Sequence, residues 1–271
     1  MTALDFEYVC RVVRDRSAVV LEPGKEYLVE ARLEPLAGRL NLGSVAGLIG
    51  RLRSGADAGL ADRVVEAMVT TETSFFRDRR PFEELRTTVL PDLIRRRAND
   101  RRLDVWCAAC STGQEPYSLA ILLREHFPEL RGWRVNVLAT DLSAGVLARA
   151  RAGRYTQLEV NRGLPAALML KYFRQTGSDW ELVEDVRRAV EFRELNLARP
   201  WPPLPPADLV LLRNVMIYFD VPTKKAILGR VATLLRPGGY LLLGGAETTL
   251  NLDDSFRRAE GLNGGFYHLT G

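Results

Sequence analysis

A chain of 271 residues with 46% hydrophobic and 27% charged residues has the make-up of an ordinary globular protein. It is long enough for one large domain, or for one domain and a smaller companion. No apolar stretch can span a bilayer, and Asp5 and Glu7 stand where a secretory leader would be basic and then apolar. The expected location is therefore the cytoplasm, without direct membrane insertion. All but four of the 38 basic residues are arginine, yet the net charge is only +4. So scattered an excess reads either as genome composition or as a mild preference for an acidic partner. No continuous basic and aromatic stripe points to nucleic acid.

In chain order, residues 1–70 read as a helical domain. Phe6, Val9, Cys10 and Val13 fall at helical spacing, then roughly Tyr27, Leu28, Ala31 and Leu33. Val45, Leu48, Ile49 and Leu52 make a third stripe, and Val64, Val65 and Met68 a fourth. From 71 to 271 the pattern alternates. LDVWCAAC is a strand, PYSLAILLREHF a helix with Pro116 in its first turn, and VNVLATD a strand. SAGVLARARAG is a helix capped by Ser143 and stopped by Gly153. DLVLL, TKKAILGRVATLL and YLLLGG continue the alternation, with PGG as the last helix stop. This is the pattern of a parallel sheet with helices on both faces, where ligands sit outside the carboxyl ends of the strands. Residues 171–195 break the rhythm and read as an antiparallel hairpin around Gly177-Ser178-Asp179. The proline-rich stretch ARPWPPLPPAD reads as a stiff connector or as a proline-rich recognition peptide.

Cys107 and Cys110 have the C-x-x-C spacing, but no second pair follows and the two histidines are remote in sequence. Small buried residues at a strand end are the default reading, ahead of a redox pair or a zinc site, and no metal is expected. The arginine run 95–97 falls near a helix end, where positive charge suits the macrodipole.

The chemistry gathers at strand ends. The first strand runs into AACSTGQEPYS, which holds one glycine where a dinucleotide fold has three, and no Walker-type lysine. Glu115 there is either a favourable charge at a helix start or a ligand group. Asp141 closes the second strand, either as a helix cap or at the place where α/β folds hold ribose hydroxyls. Asn196 suits an adenine edge, though asparagine is also a common turn residue. Arg213 and Asn214 follow directly on the apolar run Leu209 to Leu212 and terminate that strand. Together these groups describe a site for an adenosine-like ligand with no phosphate cradle, which suits S-adenosylmethionine better than NAD or ATP.

The stretches TETSFFRD (71–78), ACSTGQEPYSLA (109–120), ATDLSAGVLARARAGRY (139–155), RNVMIYFD (213–220) and LRPGGYLLLGGAET (235–248) resemble, in order and spacing, the signature blocks of CheR-type chemoreceptor glutamate methyltransferases. The resemblance covers nearly the whole chain. It implies an all-α amino-terminal domain over 1–70. A Rossmann-like methyltransferase domain over 71–271 would follow, carrying a small antiparallel hairpin subdomain at about 171–195. It implies contacts to S-adenosylmethionine, and to its product S-adenosylhomocysteine, from Thr71, Thr73, Arg77, Glu115, Asp141, Leu195, Asn196, Arg213 and Asn214. Arg77 and Tyr218 would face the methyl-transfer site. The acceptor would be glutamate in the cytoplasmic helical region of chemoreceptors.

Several positions depart from the family pattern. Thr71 stands where asparagine is frequent, Gln114 where relatives read a carboxylate, and GGAE (244–247) where GHSE is common. The hairpin also looks shorter than the three-stranded lobe with which some relatives grip a receptor's carboxyl-terminal peptide, so binding without that tether is expected. The alternative to an enzyme is a non-catalytic S-adenosylmethionine-binding scaffold of the same fold. The presence of Arg77, Asp141, Asn214 and Tyr218 argues against it. A base methyltransferase would want an N-P-P-Y-type clamp where RNVMIYF stands.

Overall fold

The structure is a computed structural model that describes residues 1–270. It divides into two compact units. The first comprises Met1–Thr70 together with Asn196–Pro200 and Tyr218–Lys224, and the second Thr71–Leu195, Trp201–Ile217 and Lys225–Gly271.

The first unit is built on four helices, α1 (Ala3–Ser17), α2 (Glu26–Arg39), α3 (Val45–Arg53) and α4 (Leu60–Met68). Thr2 and Ser44 cap α1 and α3 by accepting the Asp5 and Gly47 amides, and left-handed Ala18 ends α1. Val9, Val13, Val29, Leu33, Leu48, Ile49, Val64 and Met68 fill its core. The buried stripe of α2 is Val29, Leu33, Leu36 and Ala37, one position round from the expected Tyr27, Leu28 and Ala31. Tyr27 is 69% exposed. The two later segments join this unit through α1. Asn196 Nδ2 donates to Arg16 O at 2.7 Å, Arg14 pairs with Asp220 at 3.1 Å, and Val20 N donates to Tyr218 O at 2.9 Å.

The second unit opens with α5 (Arg80–Glu84), which passes through a π-helical turn at Leu85–Val89 into α6 (Leu90–Arg96). The expected alternation follows as β1 (Arg102–Ala108), α7 (Gln114–His126), β2 (Arg134–Asp141) and α8 (Ala144–Ala152). A second group comprises β3 (Arg154–Thr156), α9 (Gln157–Asn161), α10 (Ala166–Tyr172), β4 (Phe173–Thr176), β5 (Asp179–Leu182), α11 (Glu184–Arg187) and β6 (Val190–Glu194). Then come β7 (Ala207–Leu212), α12 (Val221–Leu234, whose first turn lies in the other unit), β8 (Leu235–Leu243), β9 (Phe256–Arg258) and β10 (Phe266–Leu269). The main sheet has the order β6-β2-β1-β7-β8-β10-β9, parallel from β6 to β8 and antiparallel beyond. The chain leaves β1 toward β2 on one side and reaches β7 on the other. Such a reversal opens a crevice above the strand ends.

Two expectations are corrected here. Only β4 and β5 of the 171–195 stretch form a hairpin. Residues 190–194 pair in parallel with β2, because Val190 and Phe192 carry an apolar face that the large sheet can bury. The small sheet also has a third strand, β3, drawn from outside that stretch. Pro237-Gly238-Gly239 does not precede the last parallel strand but lies inside β8, at a register shift opposite Ala207 and Leu209. A Cβ on Gly239 would come 2.8 Å from Asp208 O.

Candidate active site

Three loops converge at the carboxyl ends of β1, β2 and β7. The β1–α7 turn is wound by left-handed residues: Ala109 (φ 54°), Ser111 (φ 49°) and Gly113 (φ 91°). Gly113 is required by space as well as conformation. A Cβ there would lie 3.0 Å from Ala150 Cβ and 3.1 Å from the Tyr117 ring. Asp141 organises this turn from the end of β2. Its carboxylate accepts Ser111 N at 2.8 Å and Ser143 N at 3.1 Å. Leu195, just beyond β6, hangs on the Asp141 carbonyl at 2.9 Å.

The loop 71–79 lies against that turn. Ser111 Oγ donates to Thr71 O at 2.8 Å, and Ser118 Oγ accepts Phe76 N at 2.9 Å. Phe75, fully buried, meets Tyr155 and Phe173 edge-on at 5.0 and 5.5 Å. Thr71 is exposed, and Thr73 and Arg77 are half-buried. Gln114, in the place of a carboxylate, is 2% exposed and accepts the Thr112 hydroxyl at 2.8 Å. A neutral amide suits that burial better than a charge would.

The guanidinium that ends β7 ties these loops together. Arg213 donates to Glu115 Oε2 at 2.7 Å, to Asp78 Oδ2 at 2.8 Å and to Arg77 O at 3.1 Å, with its side chain 2% exposed. Burial pushes the Glu115 carboxyl up, against the charge and hydrogen bond of Arg213. Asn214 follows in the left-handed region (φ 56°), and Glu247 holds it there. The Glu247 carboxylate accepts four amides: Asn214 and Gly244 at 2.7 and 2.8 Å on Oε2, Val215 and Met216 at 2.9 and 2.8 Å on Oε1. A Cβ on Gly244 would lie 2.7 Å from Asn214 Nδ2 and from Glu247 Oε2.

Of ten left-handed non-glycine residues among those described, six (Phe76, Asp78, Arg79, Ala109, Ser111 and Asn214) lie in these loops. Backbone strain of this kind clusters where surrounding structure over-determines a functional conformation.

The second unit thus brings together Thr71, Thr73, Arg77, Glu115, Asp141, Leu195, Arg213 and Asn214. Asn196 and Tyr218 belong to the first unit. The Asn196 amide donates to Arg16 O and accepts Ala198 N at 2.9 Å, and Tyr218 ends a 3₁₀ turn begun at Met216. Sequence reasoning missed Glu247, Asp78, Ser111 and Ser118 as organisers of the site. All four stand inside the signature blocks, but only contacts distant in sequence reveal their roles. Cys107 and Cys110 are free, buried thiols, which burial pushes well above their ordinary value.

The residues fit a sulfonium-bearing nucleoside. Two carboxylates, Glu115 and Asp141, stand at neighbouring strand ends. Arg213 keeps a buried Nε without a partner, and no lysine or glycine-rich cradle awaits phosphate. This fold and site define an S-adenosylmethionine-dependent methyltransferase.

The description "CheR methyltransferase, SAM binding domain" matches residues 71–263, and "CheR methyltransferase, all-alpha domain" matches 4–69. The chain is 40% identical over 261 residues to chemotaxis protein methyltransferase 1 of Pseudomonas aeruginosa, covering 94% of each chain. It is 38% identical over 274 residues to chemotaxis protein methyltransferase 1 of Vibrio cholerae, covering 99% of this chain and 98% of the other. Among solved structures, the glycopeptide N-methyltransferase MtfA with S-adenosylhomocysteine aligns at 19% identity and a TM-score of 0.39, over 68% of this chain and 58% of the other. That likeness is too low to bear on the site. The chain belongs to the CheR chemotaxis methyltransferase family, and it methylates chemoreceptor glutamates with S-adenosylmethionine.

Proposed function

We propose that the site residues divide into three roles. Asp141 and Asn196 hold the ribose hydroxyls and the adenine edge. Thr71, Thr73, Glu115, Leu195, Arg213 and Asn214 shape the remaining cofactor pocket, with a Thr71 hydroxyl in place of an amide. Arg77 and Tyr218 attend the acceptor. The observation that carries this reading is buried Arg213, which bonds at once to Glu115, Asp78 and the Arg77 carbonyl.

S-adenosylmethionine, when bound, supplies an electrophilic methyl on a positively charged sulfur. The acceptor glutamate, with a reference pKa of about 4.3, is already ionised near neutral pH and needs no general base. What this chain must do is bring the carboxylate within roughly 3–3.5 Å of its target and exclude water. Arg77 steers the anion without gripping it, because stabilising the ground state more than the transition state raises the barrier. The Tyr218 hydroxyl orients the same carboxylate.

The domain reading is 1–70 helical and 71–271 catalytic, acting in the cytoplasm on the helical cytoplasmic region of chemoreceptors. Among the described residues no helix is long and apolar enough to cross a membrane. Binding without a carboxyl-terminal tether remains part of the proposal. With three strands in the small sheet, strand number gives it no support, and it rests on the four-residue arms of β4 and β5. Tail-dependent capture of receptor in a pull-down would refute it.

The test of the site is transfer of radiolabelled methyl to purified receptor cytoplasmic fragments. Base-labile label that Arg77→Ala abolishes and Tyr218→Phe reduces is the expected result. Undiminished transfer by Arg77→Ala removes Arg77 from the acceptor site.

A further inference from the structure

The loop that carries Arg77 also carries a carboxylate that no role above uses. Arg77 Nη1 donates to the Glu72 carbonyl at 3.1 Å, and the Glu72 side chain is ion-paired with Arg162. Arg162 lies between α9 and α10, outside the family blocks. Its backbone is held against the same loop: Gly163, at φ +90°, comes so close that a Cβ would lie 2.1 Å from Phe75 O. Phe75 is itself fixed in the aromatic cluster with Tyr155 and Phe173. Arg162 therefore reaches Glu72 from a backbone packed closely against the same loop.

Arg162 bonds this carboxylate, and Arg77 sits beside it, bonded to the carbonyl of the same residue. The hydrogen bond and charge of Arg162, and then the charge of Arg77, hold the Glu72 carboxyl below its ordinary range. It is anionic at neutral pH, within electrostatic reach of Arg77, and 55% exposed beside it.

We propose that Glu72, ion-paired with Arg162 and bonded through its carbonyl to Arg77, is a positioning residue that tempers the positive charge Arg77 offers to the substrate glutamate. This rests on the reading of Arg77 given above. The chemistry makes such tempering useful. The substrate carboxylate loses its negative charge as it becomes an ester, so attraction to a bare arginine is strongest before reaction and fades along it. Attraction of that kind lowers KM and kcat together. Glu72 weakens the ground-state grip, and Arg162 limits how far it does so.

The test is steady-state methylation of receptor fragments by the full-length chain, with saturating S-adenosylmethionine. Glu72→Gln should lower both KM for receptor and kcat by about two- to fivefold, the span of one solvent-exposed charge interaction. Glu72→Asp should restore wild-type values. Arg162→Gln, which leaves Glu72 to Arg77 alone, should raise KM. A rise in KM or unchanged constants in Glu72→Gln overturns the proposal, as does a lowered KM with kcat intact. Because Glu72 is exposed, its variants should keep the wild-type melting temperature, and a lowered one marks a structural role instead. If Arg77→Ala leaves receptor kinetics unchanged, the reading of Arg77 fails. If Arg77→Ala matters and Glu72→Gln does not, this inference alone fails.

Discussion

At the amino-terminal end of the parallel strands, Asp104 on β1 and Asp208 on β7 are buried to 2% and 0% exposure. Arg236 bridges them at 2.7 and 2.8 Å, Arg97 adds a bond to Asp208 at 2.6 Å, and Arg102 and Asn136 complete Asp104. Asp104 N also donates to Asp208 Oδ2 at 2.8 Å. Each carboxylate there is answered by arginine. At the carboxyl end of the same strands the buried charges are Arg213 and Asp141, with the partly buried Glu115 and Glu247 beside them. Apart from Arg213 with Glu115 and Asp78, these groups hold loop amides, and Arg213 Nε is left without a partner. One end is a closed ionic network that stabilises. The other shapes backbone and keeps bonding capacity for a ligand, as active sites do at a cost in stability.

The largest effect expected from breaking this contrast is at the closed end. Asp208→Ala leaves Arg97 and Arg236 facing a gap and removes the acceptor of Asp104 N. Removing one partner of a buried pair costs about 3–5 kcal/mol, which urea unfolding should read directly. Cofactor affinity of the molecules that remain folded should be unchanged, because no loop of the site touches Asp208. Equal loss of stability and affinity would mean that the two ends are not independent.

At the open end the order of effects should invert. Glu247→Ala strands four amides, but the group is half-exposed and water can replace part of what is lost. About 1–3 kcal/mol of stability is expected. Cofactor affinity should fall at least about tenfold, since Asn214 is released from its left-handed backbone and about 1.4 kcal/mol already corresponds to tenfold. Gly244→Ala pushes a methyl against Asn214 and Glu247 and should cost about 1–3 kcal/mol as a local overpacking, with the same weakening of cofactor binding. Calorimetric titration with S-adenosylhomocysteine checks both. A stability loss without an affinity loss would assign Glu247 to the scaffold.

The contrast also explains what the sequence made legible. Strand and helix alternation comes from local periodicity, and that periodicity alone places Asp141, Arg213 and Asn214 at strand ends. Pairings distant in sequence leave no such mark. Nothing in Arg154-Tyr155-Thr156 announces a strand until β5 lies beside it. Val190–Glu194 looks like a hairpin arm until β2 offers a parallel edge. Glu247 follows the last parallel strand as one acidic residue in a turn, and three of its four amide bonds depend on Asn214, Val215 and Met216 arriving from 33, 32 and 31 residues away. Residues 196–200 and 218–224 join the helical unit through Asn196, Arg199 and Asp220, single polar contacts to α1 that carry no period.

The smallest effects are opposite slopes of stability against pH. Burial pushes the Asp104 carboxyl up, but the bonds from Arg102, Asn136 and Arg236 outweigh it and hold the group below its ordinary value. Its contribution is therefore fully present above the unfolded carboxylate value, about 3.9, and is lost as pH falls through the lowered folded value. Glu115 is raised, chiefly by burial. The folded chain then holds that proton more tightly than the unfolded one, so its contribution is present below about 4.3 and lost as pH rises through the raised value. In urea midpoints across the acid range, the deficit of Asp104→Asn should shrink as pH falls, while Glu115→Gln should gain on wild type as pH rises. Glu115→Gln should also bind S-adenosylhomocysteine more weakly, so that a variant gaining stability loses affinity. If instead Glu115→Gln loses stability progressively with rising pH, its ion pair with Arg213 outweighs burial, and the carboxyl end of the sheet is stabilised by its charges much as the amino end is.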